Sequence, residues 1–234
     1  MYLYGYHACH AALSNPDRVI EKIYLTDQKT IERLPPLKMT KVEIIDRRRL
    51  ENILAPGAVH QGITLKVQPL RTLDLDFLTT LTDPHQQVLI LDQVSDPHNV
   101  GAVLRSAAVF GAKAVILTER HAPKESGALA KAACGALEIV PLCLVKNLAQ
   151  GLEELKQMNF WCVGFSESGK QTLDQIDLKG KIALVLGSEG DGMRQRTQNL
   201  CDFHVCLPSS SDFSTLNVSN AAAIALYETF KQQR

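Results

Sequence analysis

Three stretches of the sequence gather side chains that could handle a polar ligand. The first, DQVSDPHNVGAVLR at residues 92–105, follows the apolar run VLIL. Asp96-Pro97 makes a turn, Asn99 can cap the helix that follows, and Gly101 lets the main chain approach a neighbour closely. Arg105 stands six residues beyond Asn99, which places it on the first or second helical turn and within reach of the same loop. The second, GSEGDG at 187–192, follows the run IALVL. Its glycines leave backbone groups unobstructed around Glu189, which suits a polar ligand lying against the main chain. The third, LPSSSDFSTLNVSN at 207–220, offers Ser214, Thr215, Asn217 and Ser219 as hydroxyl and amide groups. Each stretch also has an ordinary reading: a capped helix with a surface arginine, a glycine-rich turn, and an N-cap cluster at Thr215 or Asn217.

Strands and helices that could position these loops are legible in the hydrophobic pattern. Continuous apolar runs at 88–91, 114–117, 161–165, 182–186 and 203–207 alternate with helical segments at 100–110, 127–134, 148–158 and 218–230. Such alternation predicts an α/β fold around a parallel sheet covered on both faces. Ligands of such sheets bind beyond the carboxyl ends of the strands, where all three stretches fall. Residues 1–68 form a smaller α/β unit, with helices at 8–13 and 47–54 and strands at 19–25, 41–45 and 62–67. Residues 69–86 contain Pro69, Pro84 and the apolar DFLTTL, and are expected to be a linker with an opening helix. The larger unit then occupies 87–234.

The composition excludes several classes. The chain has 234 residues, 45% of them hydrophobic and 21% charged, as in a soluble globular protein rather than a disordered or fibrous one. MYLYGYHACH lacks the basic and apolar regions of a secretory signal, and no apolar run is long enough for a membrane helix, so a cytoplasmic protein is expected. Cys9, Cys134, Cys143, Cys162, Cys201 and Cys206 form no C-x-x-C pair and read as free, buried thiols. Cys201, His204 and Cys206 lie close together but lack a second ligand pair at finger-like spacing, so no metal is expected. A G-x-x-x-x-G-K-S/T phosphate loop and a G-x-G-x-x-G dinucleotide motif are both missing, which argues against a nucleotide-dependent oxidoreductase. Net charge is zero, yet residues 1–70 hold 10 Lys/Arg and 7 Asp/Glu (+3), leaving 15 and 18 (−3) for the rest. Neutrality is therefore a sum of two opposite halves and does not exclude RNA, which the basic half would meet with modest salt sensitivity. Arg47, Arg48 and Arg49 in that half read first as a solvated helix face.

Together, DPHNVGAVLR, LVLGSEGDGM and LP…TLNVSNAAAIALYE resemble the three ordered signature motifs of the SpoU (TrmH) family of RNA ribose 2′-O-methyltransferases, in the SPOUT superfamily. The likeness spans roughly residues 88–228. The stretch from YGYHACHAAL to HQGITLKV is similar to that family's L30e-like RNA-binding domain, and the two-domain form is most similar to bacterial 23S rRNA guanosine-2′-O-methyltransferases. The resemblance implies a deep trefoil knot, which no periodicity reveals. It also implies S-adenosyl-L-methionine as cofactor, RNA as substrate and a homodimer whose interface, made by the last helix and the helix of the first motif, completes each active site. By position it assigns Asn99, Arg105, Glu189, Thr215 and Asn217 to catalysis or RNA positioning, and Gly187, Leu207 and Leu216 to the cofactor. Thr215 stands where the family usually has Ser, Ser209 where Met is common and Ser211 where Gly is common. A tRNA, a resistance-conferring rRNA site, or a non-catalytic dimeric RNA-binding role are the competing expectations.

Overall fold

The computed structural model describes residues 1–37, 41–210 and 216–234. The N-terminal unit contains β1 (Tyr2–Tyr4), α1 (Tyr6–Ser14), β2 (Ile20–Leu25), β3 (Val42–Ile44), α2 (Arg47–Ile53) and β4 (Ile63–Val67). Its sheet has the order β1-β4-β2-β3, with β4 antiparallel to both neighbours and β3 parallel to β2. The short β1 is absent from the sequence reading, because three residues are too few to show a period.

The C-terminal unit contains β5 (Gln86–Asp92), α3 (Pro97–Val109), β6 (Ala114–Thr118), α4 (Gly127–Ala133), β7 (Leu142–Val145), α5 (Leu148–Gln157) and β8 (Trp161–Phe165). It continues through β9 (Gln171–Thr172), β10 (Lys181–Gly187), α6 (Gln195–Asn199), β11 (Phe203–Cys206) and α7 (Val218–Gln233). These strands make one parallel sheet in the order β7-β6-β5-β10-β8-β11-β9. The expected α/β fold with a parallel sheet is what the structure has.

All residues of β5 and β6 are buried, as a centre covered on both faces demands. Alternate residues serve opposite sides. Leu89, Leu91, Val115, Leu117, Leu184 and Leu186 pack with α3, α4 and α7, whereas Val88, Ile90, Ile116, Ala183 and Val185 pack with α5. The first of these clusters continues without a break into Leu3, Ile23, Leu25, Ile63 and Leu65 of the small sheet.

Residues 69–86, expected as a linker with an opening helix, contain a short helix of the 3₁₀ kind. Leu75–Thr80 forms a 3₁₀-helix, with Leu75 and Leu78 buried under the α5 side. Spacing of three between two anchors matches three residues per turn. The join is further fixed by Arg18, whose side chain is fully buried. Its guanidinium donates to Gln68 O at 2.9 Å, to Glu125 Oε1 at 2.6 Å and to Glu138 Oε1 at 2.5 Å. Glu125 Oε2 accepts from Leu70 N at 2.8 Å, and Glu138 also accepts from Asn15. One arginine thus ties the small unit, the connecting segment and the large unit together.

Candidate active site

The first loop leaves β5 and enters α3 differently from the expectation. Asp96, not Asn99, is the N-cap, its carboxylate accepting from His98 N at 3.0 Å, with Pro97 in the first turn. Capping by Asp96 releases the Asn99 side chain for another task. Gly101 is buried, and a Cβ there would stand 2.5 Å from Ala132 Cβ and 2.8 Å from Leu129 O. Its role is to let α3 cross α4 closely, not to admit a ligand.

The second loop is a tight hairpin at the carboxyl end of β10. Ser188 and Gly192 exchange both backbone hydrogen bonds, at 3.2 and 3.0 Å, and Gly190 and Gly192 take φ of +92° and +65°. At Gly187 a Cβ would lie 2.0 Å from Gly192 C, so no other residue lets the hairpin close. Glu189 sits at its tip.

From the third loop, Asn217 is the N-cap of α7, as one ordinary reading had it. Its Oδ1 accepts from Ser219 N at 2.9 Å and from Ser219 Oγ at 2.5 Å. The amide nitrogen is left to act elsewhere.

These three side chains meet. Glu189 Oε1 accepts from Asn217 Nδ2 at 2.6 Å, from Val218 N at 3.2 Å and from Asn99 Nδ2 at 3.3 Å. Asn217 Nδ2 also donates to Asn99 Oδ1 at 3.0 Å, closing a triangle. One carboxylate oxygen therefore joins three loops far apart in sequence, at the edge of the sheet where ligands of such folds bind. Leu216, 45% exposed beside Asn217, and the half-buried Leu207 after β11 add apolar surface. Thr215 lies outside the described residues, as does Ser211.

Arg105 does not join this triangle. As the ninth residue of α3 it lies on the third turn, not the first or second, and about 120° around the axis from Asn99. It is exposed, and its Nη1 donates to Cys134 Sγ at 3.8 Å, beyond the end of α4.

Sequence reasoning missed Asp92 and Arg194. Asp92 is fully buried at the end of β5, in register with Gly187 of β10. Its Oδ1 accepts from Arg194 Nε and Nη2, both at 2.8 Å, and its Oδ2 accepts from Arg194 N at 2.9 Å. This fork-shaped pair anchors the chain leaving the hairpin. An acid closing an apolar strand and an arginine just past GSEGDGM were the available signals.

The cysteines are mostly as expected: Cys9, Cys143, Cys162 and Cys201 are buried, but Cys134 is exposed at the left-handed end of α4. Burial, with Asp202 adding to it, pushes the Cys201 thiol up to about 12. In the N-terminal unit Arg47 pairs with Glu51 and Arg49 with Glu43 on the exposed side of α2, as a solvated face would.

Comparison with known proteins gives three independent likenesses. Residues 86–227 match the SpoU rRNA Methylase family, and residues 2–73 match the RNA 2′-O ribose methyltransferase substrate binding family. The chain is 40% identical to the 23S rRNA (guanosine-2′-O-)-methyltransferase RlmB of Pasteurella multocida, over 99% of this chain and 98% of the relative. With the protein of that name from Escherichia coli K12 the identity is 38%, with the same coverage. Among solved structures, the SpoU methyltransferase AviRb from Streptomyces viridochromogenes, in complex with the cofactor AdoMet, superposes with a TM-score of 0.85. That match covers 100% of this chain and 91% of the other at 20% identity, and so speaks to the fold.

Proposed function

The chain belongs to the SpoU rRNA methylase family, and from that premise we propose that it transfers a methyl group from S-adenosyl-L-methionine to the ribose 2′-hydroxyl of a guanosine in 23S rRNA. The observation that carries this reading is the triangle of Asn99, Glu189 and Asn217, built from all three signature loops. Identity near 40% over 99% of this chain to enzymes of that name favours the rRNA guanosine over a tRNA. In this reading residues 1–68 hold the RNA, 69–86 connect, and 87–234 catalyse in the cytoplasm.

The residues present suit the cofactor. Leu207 and Leu216 offer apolar walls for a purine, and the hairpin begun by Gly187 offers main-chain groups free of side chains. When bound, S-adenosylmethionine supplies a methyl carbon already activated by its positive sulfur. What this chain must contribute is alignment, which can lower a barrier by about 7–11 kcal/mol at best, and a path for one hydroxyl proton. Asn99, Glu189 and Asn217 hold the loops in one arrangement, and the family resemblance assigns the Thr215 hydroxyl to the same site. Arg105 presents a planar fork to the phosphate next to the reacting ribose and polarises the 2′-hydroxyl; a guanidinium holds its proton too tightly to act as the base itself.

Arg105 stands apart from the triangle of its own chain, and this supports action across a homodimer interface formed by α3 and α7. Val109 on α3 is 68% exposed, and Ile224 and Tyr227 on α7 are 44% and 52% exposed, a surface suited to a second copy. Sedimentation is expected to give twice the 25.8 kDa of one chain. A fully active monomer overturns the dimer. The family's knot belongs to the same proposal, and the insertion of β10 between β5 and β8 supports it.

The test is to map ribose methylation in RNA from wild-type cells and cells lacking the gene. One 2′-O-methylguanosine is expected to vanish from 23S rRNA. Loss from tRNA alone, with rRNA unchanged, overturns the substrate.

A further inference from the structure

A cavity of about 380 Å³ opens at the carboxyl edge of the sheet, on the α5 side and thus across the sheet from α3 and α7. It is lined by the end of β6 (Thr118), the following turn (Arg120, His121), the start of α5 (Lys146, Asn147) and the segment after the hairpin (Arg194, Arg196). We propose that this cavity binds phosphodiester groups of the substrate RNA, so that the strand is gripped on the catalytic half at a second place beyond the methyl-transfer site. The inference rests on the RNA reading above and extends it to named residues.

Charge is the first argument. The C-terminal half is net acidic by three, yet no carboxylate lines this cavity and four of its cations do. Only Arg194 is neutralised, by Asp92; Arg120, Lys146 and Arg196 have no ion-pair partner among the described residues. Cations gathered without counter-charge repel one another, and an anion placed among them relieves that repulsion.

The second argument is a polar atom left waiting. Thr118 is 4% exposed, and its Oγ1 is buried without a hydrogen-bond partner, although its carbonyl is satisfied by His121 N and Ala122 N. Thr118 lines the cavity, and leaving its buried hydroxyl unpaired is costly; a side-chain rotation that brings it to a phosphate oxygen in the cavity relieves that cost. The N-terminus of the ten-residue α5 opens into the same space and favours negative charge.

Size selects the ligand. The volume lies in the ~300–1,000 Å³ range of small-molecule sites and is far larger than the ~30 Å³ share of one water, so a nucleotide unit fits better than a lone ion. Arg194 also links the cavity to the active site: through Asp92 it holds the strand end in register with Gly187, where the Glu189 hairpin begins.

The experiment compares the full-length protein with an Arg120→Gln/Lys146→Gln/Arg196→Gln variant and with Arg120→Lys/Lys146→Arg/Arg196→Lys. Probes are 23S rRNA transcribed in vitro, inorganic phosphate and S-adenosylmethionine. The neutral variant is expected to bind the rRNA about tenfold or more weakly at ~0.1 M salt. Its plot of log affinity against log salt should be shallower by about two, at ~0.7 per phosphate contact of a single strand. Its cofactor affinity and thermal midpoint should match the parent's, and the charge-conserving variant should keep most of the rRNA affinity. Unchanged rRNA affinity and salt slope in the neutral variant overturn the proposal. So does saturable binding of inorganic phosphate lost in that variant while the rRNA slope stays constant, which makes the cavity a small-anion site. Should the neutral variant melt early, Lys146→Gln alone is read the same way, with a slope change near 0.7 expected. Methyl transfer by the parent, measured in parallel, reports on the proposed function separately.

Discussion

Glu189 Oε1 is shared by three donors, and this sharing decides what its removal should do. Hydrogen bonds to a charged acceptor contribute about 1.5–3 kcal/mol each, but the two asparagine partners lie at an exposed edge where water can replace the carboxylate, and only Val218 N is part-buried. Glu189→Ala is therefore expected to leave the thermal midpoint within a few degrees of the parent, since ~1 kcal/mol moves a chain of this size by ~2–4 °C. Methyl transfer should fall at least tenfold, since ~1.4 kcal/mol of lost ordering is a factor of ten. Activity within twofold of the parent in a single-turnover assay would refute the locking role. Arg105→Lys keeps the charge but loses the fork, and most of the activity is expected to go with it; near-normal turnover would sink that assignment. At this scale the sequence identified the three partners by type and order, and the structure shows them in contact. It did not show whether Asp96 or Asn99 caps α3. Asp96 and Asn99 are both good caps by composition, and Pro97 in the first turn settles the choice.

The hairpin at 187–192 works as a unit because its two ends touch through backbone. Gly187→Ala would drive a methyl to 2.0 Å from a main-chain carbon that no side-chain rotation can move aside. The hairpin must open, so cofactor affinity measured by calorimetry is expected to fall tenfold or more. Retained affinity would place the cofactor away from this loop. Long elements were legible because unbroken apolar continuity over four or five residues leaves little ambiguity, as in IALVL and VLIL. Short ones were not. β7 has only four residues and follows Pro141, and its edge position leaves most of it half-buried, so it shows no clear period. The DFLTTL segment looked helical and is a 3₁₀ turn, because two buried leucines three apart cannot distinguish the two periods.

Over the whole molecule, the division of charge visible in the sequence corresponds to two sheets, and the boundary between them, expected as a linker, is held by buried ion pairs. The signal that would have shown this is a long-range ionic cluster, and Arg18, Glu125 and Glu138 lie too far apart in the chain for any local pattern to pair them. Arg18→Met would leave two acidic side chains facing a vacated position, one of them only 4% exposed. Breaking a buried pair from one side costs about 3–5 kcal/mol, so the melting midpoint is expected to drop by roughly 6–20 °C. A shift below 2 °C in a thermal melt would show the cluster to be dispensable. Its larger consequence concerns selection among substrates. On the proposed division of roles, a jaw and an anvil bolted to one frame behave as a caliper: the span between the place where RNA would be gripped and the place where it would be modified is set before any RNA arrives. Under the proposed function, an RNA would then be accepted for the separation of its features as much as for their sequence, and a loop one turn longer or shorter is expected to miss one of the two ends.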